Sequence, residues 1–346
     1  MVGNAALPGS PALPRPAKRP FQAFVTIDAL RAFIAEDLKA VDEVIRQRLK
    51  SDVVLIRKVA DYIIGGGGKR LRPVLLILAA RACGYRGQHH HELAAVVEFI
   101  HTATLLHDDV VDESGLRRGQ ATANALFGNA AAVLVGDFVY SRAFQMMLAA
   151  ENMKVLRVLA DATNVIAEGE VLQLMNCHNP DLDEEGYLQV IRFKTAKLFE
   201  AATRLGAILG EAGDAAEEAM AAYGAHLGTA FQLIDDVLDY SGEMALIGKN
   251  VGDDLAEGKA TLPLIFAMKH GTPQQAQLVR RAIESGGLDE LPAVLDAIRG
   301  SGALEYARAQ AQSEARTACE ALEGLTRSTY RDYLLQLADF AVTRTF

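Results

Sequence analysis

The residues most able to do chemistry are Asp108, Asp109 and Asp112, which close the apolar run from Phe99 to His107. No Gly or Pro interrupts that run, so the spacing predicts a helix whose C-terminal end carries the acids. Asp108 and Asp112 fall one turn apart on one face, with Cβ atoms roughly 5–6 Å apart. Acids this close repel one another, and something cationic must compensate. The pattern then recurs: Thr229 to Asp239 matches Thr102 to Asp112 at the same spacing, with Asp235, Asp236 and Asp239 in the acidic positions. One acidic helix end is readily a cap or a solvated face; two with the same lead-in point to metal chemistry. Hard cations such as Mg²⁺ take oxygen ligands, one or two carboxylates plus waters and substrate phosphates. Two such ends facing across a cavity would hold several Mg²⁺ ions bridging a diphosphate.

Basic and polar groups answer these acids. Lys69, Arg70 and Arg72 follow four glycines, Gly65 to Gly68, a composition that suits a phosphate. It is not a Walker A loop, because no Ser or Thr follows Lys69 and no strand precedes it. Arg117 and Arg118 are either phosphate ligands or counter-ions of Asp112 and Glu113. Lys194-Thr195 interrupts an apolar helix, where the lysine either snorkels or serves a site. Lys249 and Lys259 flank Asp253-Asp254 in a Gly-rich loop that could close over a charged ligand. His101 lies two turns before Asp108, as a core histidine or a ligand. Gln232, three residues before Asp235, is placed to donate to a phosphate oxygen.

These residues must be positioned by helices. Half of the 346 residues are apolar, Trp is absent and aromatics are sparse, which favours helix over strand. Amphipathic or apolar segments are expected at 27–51, 53–64, 72–84, 89–113, 130–150, 155–173, 187–209, 215–240, 262–270, 274–285, 288–299, 303–322 and 330–344. The segments 130–150 and 155–173 are apolar on most sides and are expected to be central. No stretch alternates as a strand does. The expectation is one all-α domain over 21–346, about a dozen helices around a deep central cavity, preceded by a disordered tail, 1–20, with five prolines.

A net charge of −9 and a pI near 5.5 disfavour nucleic acid and anionic membranes as general partners and make local basic clusters more informative. No run reaches the roughly 20 apolar residues of a transmembrane helix, and the N-terminus lacks the apolar core of a secretory signal. Three scattered cysteines, Cys83, Cys177 and Cys319, fit neither a disulfide framework nor a metal motif. A reducing, cytoplasmic setting is expected.

Taken together, Gly-Gly-Lys-Arg-Leu-Arg-Pro (67–73), the paired Asp-Asp-x-x-Asp motifs, Arg117-Arg118-Gly119, Lys194-Thr195, Phe231-Gln232, Glu168-Gly169-Glu170 and Gly248 to Asp254 resemble the trans-isoprenyl diphosphate synthases, from about residue 25 to the C-terminus. The resemblance implies the all-α isoprenoid synthase fold, usually homodimeric. It implies Mg²⁺ held by Asp108 and Asp112, with Asp109 supporting, and by Asp235, with Asp236 and Asp239 nearby. It implies an isopentenyl diphosphate pocket at Lys69, Arg72, His101 and Arg118. Allylic diphosphate contacts follow at Arg117, Lys194, Thr195 and Gln232, with Lys249 and Lys259 as further candidates. The implied reaction is successive head-to-tail addition of isopentenyl diphosphate to an allylic primer, farnesyl diphosphate by resemblance. The product is expected to be an octaprenyl chain for respiratory quinones, with heptaprenyl, nonaprenyl, decaprenyl and geranylgeranyl as alternatives.

Ala103 and Thr104, five and four residues before the first acid, are small, so a growing chain can pass beside the helix; Met147, with Met146 and Phe144, is the expected floor. A class I terpene cyclase shares the fold class but mixes Asn, Ser or Thr, and Glu in its second metal motif. A non-catalytic subunit would have lost acids that this chain keeps.

Overall fold

The structure, a computed structural model, describes residues 27–65, 68, 70–117, 119–241 and 251–344. Lys69, Arg118 and Lys249 lie outside the described residues, as does the proline-rich segment 1–20. The chain builds helices α1 (Ile27–Phe33), α2 (Ala35–Arg48), α3 (Val54–Gly65), α4 (Leu71–Ala82) and α5 (His89–Val111). After a short hairpin, β1 (Leu116–Arg117) with β2 (Gln120–Ala121), come α6 (Ala123–Phe127), α7 (Asn129–Ala149), α8 (Met153–Asn176) and α9 (Glu184–Ile191). A π-helical turn, Arg192–Ala196, joins α9 to α10 (Lys197–Leu209), and α11 (Asp214–Ser241) follows. The remainder is α12 (Asp253–Ala256), α13 (Leu262–His270), α14 (Pro273–Ser285), α15 (Leu291–Ser301), α16 (Ala303–Ala321) and α17 (Thr329–Thr343).

Local chemistry sets several of these boundaries. The Asn152 side chain accepts from Lys154 and Val155 N–H at the start of α8, Asp183 from Gly186 at α9, and Ser328 from Arg331 at α17. Each satisfies N–H groups that a helix start leaves without partners. Thr272 and Gln275 form a reciprocal capping box at α14. Three segments depart from expectation. The first predicted helix breaks at Ile34 into α1 and α2. The stretch 187–209 is interrupted by the π turn. The Arg117–Gln120 turn is the connection of a small antiparallel hairpin, with Gly119 at φ +73°.

Two apolar clusters form the core. One gathers α2 to α5, α7, α8, α10 and α17 around Phe99, Phe199 and Tyr223; the other gathers α13 to α16 around Tyr240 and Ile265. Helix α11 serves both, giving Leu227 and Ala230 to the first and Leu233, Ile234 and Val237 to the second. The acidic end of α11 is thereby fixed between the two halves of the core. Although 130–150 and 155–173 are expected to be central, α7 and α8 each leave an apolar face open. Leu134 and Leu148 on α7, and Val171, Leu174 and Met175 on α8, are exposed. No described helix is long and apolar enough to cross a membrane.

Candidate active site

The two acidic helix ends belong to one polar cluster, joined by two short routes. In the first, Lys194 Nζ lies 3.4 Å from Asp108 Oδ2. Its neighbour Thr195 donates to Gln232 Oε1 (3.1 Å), and Gln232 donates to Asp236 Oδ1 (2.8 Å). In the second, Lys259 donates to Asp112 Oδ2 (3.1 Å) and its backbone N–H to Asp254 O (2.9 Å). The N–H of Asp254 in turn donates to Asp239 Oδ2 (3.3 Å).

The π turn makes the first route possible. One extra residue in the turn swings consecutive side chains, Lys194 and Thr195, toward the two acidic helices. Glycines on either side admit it. A Cβ at Gly169 of α8 would lie 2.6 Å from the Lys194 backbone N, and one at Gly228 of α11 would lie 2.6 Å from Ala196 Cα. Helix α8 forms a third wall: Glu170 holds Lys194 at 2.5 Å. With its amide oxygen turned toward them, Gln173 accepts from Lys194 (3.1 Å) and Lys259 (3.3 Å).

Electrostatics follow from this packing. Burial works against the Lys194 ammonium, but Asp108 and Glu170 outweigh it and its pKa lies above the ordinary lysine value. Lys259 is raised in the same way: burial opposes, while Glu257, Asp254 and Asp112 prevail. Burial pushes Glu170 up to about 7, with Asp108 and Asp112 adding to the rise and Lys194 opposing it. Both lysines are therefore held cationic, as a diphosphate site needs.

The remaining expected residues separate into groups. Asp108 and Asp112 are half-buried, each offering Oδ2 to an ammonium. These are hard oxygen donors in surroundings already arranged for positive charge, and they fit a divalent cation of the oxygen-seeking kind. Asp109 is buried and accepts from Arg117 Nε and Nη2 at 2.8 and 2.6 Å. Arg117, expected at the allylic diphosphate, is thereby anchored to the middle acid through Nε and Nη2. Asp236, expected among the metal ligands, is buried with both oxygens engaged, Oδ2 by Tyr187 (2.5 Å) and Oδ1 by Gln232. Burial chiefly raises its pKa, opposed by those two donors. Asp235 accepts from Arg344 (2.6 Å), whose guanidinium also stacks 3.9 Å over Phe231. The Arg72 guanidinium lies 4.6 Å over Phe199. His101 is half-buried one helical face along α5, its carbonyl accepting from the Thr104 hydroxyl (2.9 Å). Ala103 and Met147 are buried.

Glu170, Gln173, Tyr187, Glu257 and Arg344 complete the cluster and were not expected in it. A carboxylate in the apolar helix α8 was a signal for Glu170. For Arg344 no local signal exists, since its partner lies 109 residues away. A separate group, Asp37, His90 and His91, is the one place among the described residues where three potential ligand atoms converge. Both imidazoles and Arg81 share a single oxygen, Asp37 Oδ1, at 2.8–3.0 Å. Nitrogen donors beside a guanidinium do not suit an oxygen-seeking cation.

Comparison with known proteins agrees with this architecture. The chain is 55% identical over 321 residues to octaprenyl diphosphate synthase of Escherichia coli, covering 92% of this chain and 99% of that protein. It is 47% identical to an all-trans-nonaprenyl-diphosphate synthase of Rhodobacter capsulatus, covering 90% of this chain and 96% of that one. A crystal structure of a Caulobacter crescentus polyprenyl synthase, complexed with calcium and isoprenyl diphosphate, superposes with a TM-score of 0.90 at 46% identity, covering 94% of this chain and all of that one. Residues 53–298 match the family model described as polyprenyl synthetase. The family-model match over residues 53–298 and the 55% identity along nearly the full length of the Escherichia coli protein place the chain in the polyprenyl synthetase family.

Proposed function

We propose that the chain elongates an allylic diphosphate, farnesyl diphosphate as primer, by successive additions of isopentenyl diphosphate, ending at octaprenyl diphosphate. The observation that carries this is the joining of the two acidic helix ends through Lys194, Thr195, Gln232 and Lys259. The product length is supported by similarity to octaprenyl diphosphate synthases of Escherichia coli and Haemophilus influenzae.

In this reading Asp108, Asp112 and Asp235 would hold Mg²⁺, with Asp236 and Asp239 nearby and Asp109 supporting. Bound Mg²⁺ supplies charge stabilisation to the departing diphosphate. Lys194, Gln232 and Lys259 face the same leaving group with fixed donors, an electrostatic contribution that commonly dominates catalysis. Lys69, Arg72, His101 and Arg118 hold isopentenyl diphosphate. Its double bond attacks C1 of the allylic cation, and the released diphosphate takes the lost proton. The apolar faces below Asp108, with Ala103 and Thr104, exclude water that would quench the cation. Met147 closes the shaft.

We further infer a homodimer, because the exposed apolar faces of α7 and α8 need a cover. A cytoplasmic setting for quinone side-chain synthesis is supported by three free cysteines. Mass spectrometry of the product from farnesyl and isopentenyl diphosphates with Mg²⁺ tests the reading. An octaprenyl product is expected. Diphosphate release without isopentenyl diphosphate would instead indicate a cyclase.

A further inference from the structure

The α2–α3 connection presents an apolar tip inside a basic collar. Val53, at the end of the connection, and Val54 and Leu55, in the first turn of α3, are 56%, 54% and 41% exposed, where polar residues would serve at no cost. Residues 46–58 include Arg46, Arg48, Lys50, Arg57 and Lys58 against the single acid Asp52, in a chain whose net charge is −9. Local bonds shape the tip: Arg57 Nη1 donates to Ser51 O (2.8 Å), and the Val53 N–H donates to Ser51 Oγ (3.2 Å). Arg48 pairs with Glu92 and Arg46 with Glu43 (4.0 Å), leaving Lys50 and Lys58 exposed. An open groove along α2, lined by Arg31, Lys39 and Arg46, extends the basic surface, with Asp42 the acid among its lining residues.

The tip also has a place relative to the site. Arg48, at the end of α2, pairs with Glu92 of α5, and Tyr62, about two turns into α3, donates to Ala121 O in the hairpin that follows the acids, so the tip lies along the flank of α5. A narrow crevice between α2, α3 and α5 is lined by Leu49, Ala60 and Phe99 together with Arg70, Glu98 and Thr102.

We propose that this tip docks the bundle onto an anionic lipid surface. Exposed aliphatic side chains enter the headgroup region while the surrounding lysines and arginines meet lipid phosphates, the combination that binds amphipathic surfaces to membranes. The benefit to the enzyme rests on the proposed function: a long prenyl product released beside a bilayer meets lipid rather than water. The binding itself does not depend on that reading.

Flotation of the full chain with vesicles, without substrate, tests it. The protein is expected to float with phosphatidylcholine–phosphatidylglycerol vesicles and not with phosphatidylcholine alone, and to be released near 0.5 M salt, where the Debye length is only about 4 Å. Val53→Asp/Val54→Asp and, separately, Lys50→Gln/Lys58→Gln are expected to lower partitioning at least about tenfold while melting like the wild type. Absence of flotation, equal binding to neutral vesicles, or wild-type binding by both variants would overturn the proposal, the last locating any membrane contact elsewhere. A tip-dependent change of oligomeric state in sedimentation velocity would also overturn it, by making the tip a protein interface. Loss of prenyltransfer activity with vesicle binding intact would count against the proposed function alone.

Discussion

Lys194 Nζ stands 3.4 Å from Asp108 Oδ2, although the two residues are 86 positions apart and nothing near either one announces the other. The contact ties the first acidic helix to the π turn, and through Thr195 and Gln232 to the second. Replacing Lys194 with Met removes a fixed donor at the leaving group. We expect kcat to fall about 100-fold, the usual loss for one such donor, with KM for isopentenyl diphosphate nearly unchanged. Steady-state kinetics on both substrates checks this; a change confined to isopentenyl diphosphate KM would assign Lys194 to the other pocket.

Tyr187 buries its hydroxyl against Asp236. In Tyr187→Phe one oxygen of a buried carboxyl loses its partner, a loss of about 1–3 kcal/mol. Thermal unfolding should show a lower Tm, and kcat should fall as Asp236, released at Oδ2, holds Gln232 less firmly. An unchanged Tm would mean that solvent reaches Asp236.

Side-chain volume below Asp108 should set product length. Ala103→Tyr places a ring in the shaft one turn under the acids, and product analysis by thin-layer chromatography should show farnesyl or geranylgeranyl chains. Met147→Ala should lengthen the product. Unaltered long chains from the first variant would reject the shaft beside α5; unaltered length from the second would move the floor away from α7.

The Asp37–His90–His91 group predicts a pH dependence of stability. Burial chiefly lowers the His90 pKa below 6.5, with His91 and Arg81 adding and Asp37 opposing. The folded state then declines a proton that the unfolded chain accepts below pH 6.5, so stability falls as pH drops through that value, by at most about 1.4 kcal/mol per pH unit. Burial raises the Asp37 carboxyl, but donors from His90, His91 and Arg81 hold it far below 3.8. Its contribution is present above pH 3.8 and is lost on further acidification. Denaturant unfolding between pH 8 and 5 should show the first decline, and His90→Gln should flatten it; an unchanged slope in that variant would place the titrating group elsewhere.

How much of this was legible in sequence depends on range. The acidic ends of α5 and α11 were, because helical spacing alone puts Asp108 with Asp112 and Asp235 with Asp239. The helical scaffold was too, from apolar periodicity. The π turn was not: the room it needs is left by Gly169 and Gly228, two glycines on other helices. The distinct states of the six acids were equally hidden. Arg117 on Asp109, Tyr187 on Asp236 and Arg344 on Asp235 are choices made by packing between distant segments. The solvent-facing sides of α7 and α8 ran against a pattern that, by hydropathy, reads as interior, since an apolar side chain looks the same in sequence whether it is packed or exposed.

The central claim is that the two acidic helix ends act as one site on a shared metal–diphosphate. Calorimetric titration of a non-hydrolysable farnesyl thiodiphosphate in the presence of Mg²⁺ should be carried out on wild type, Asp108→Asn, Asp235→Asn and the double variant. Each single variant is predicted to weaken binding about 100-fold, and the double to be little worse than either, because residues acting on one ligand are strongly non-additive. Fully additive losses, or wild-type affinity in either single variant, would contradict a shared site.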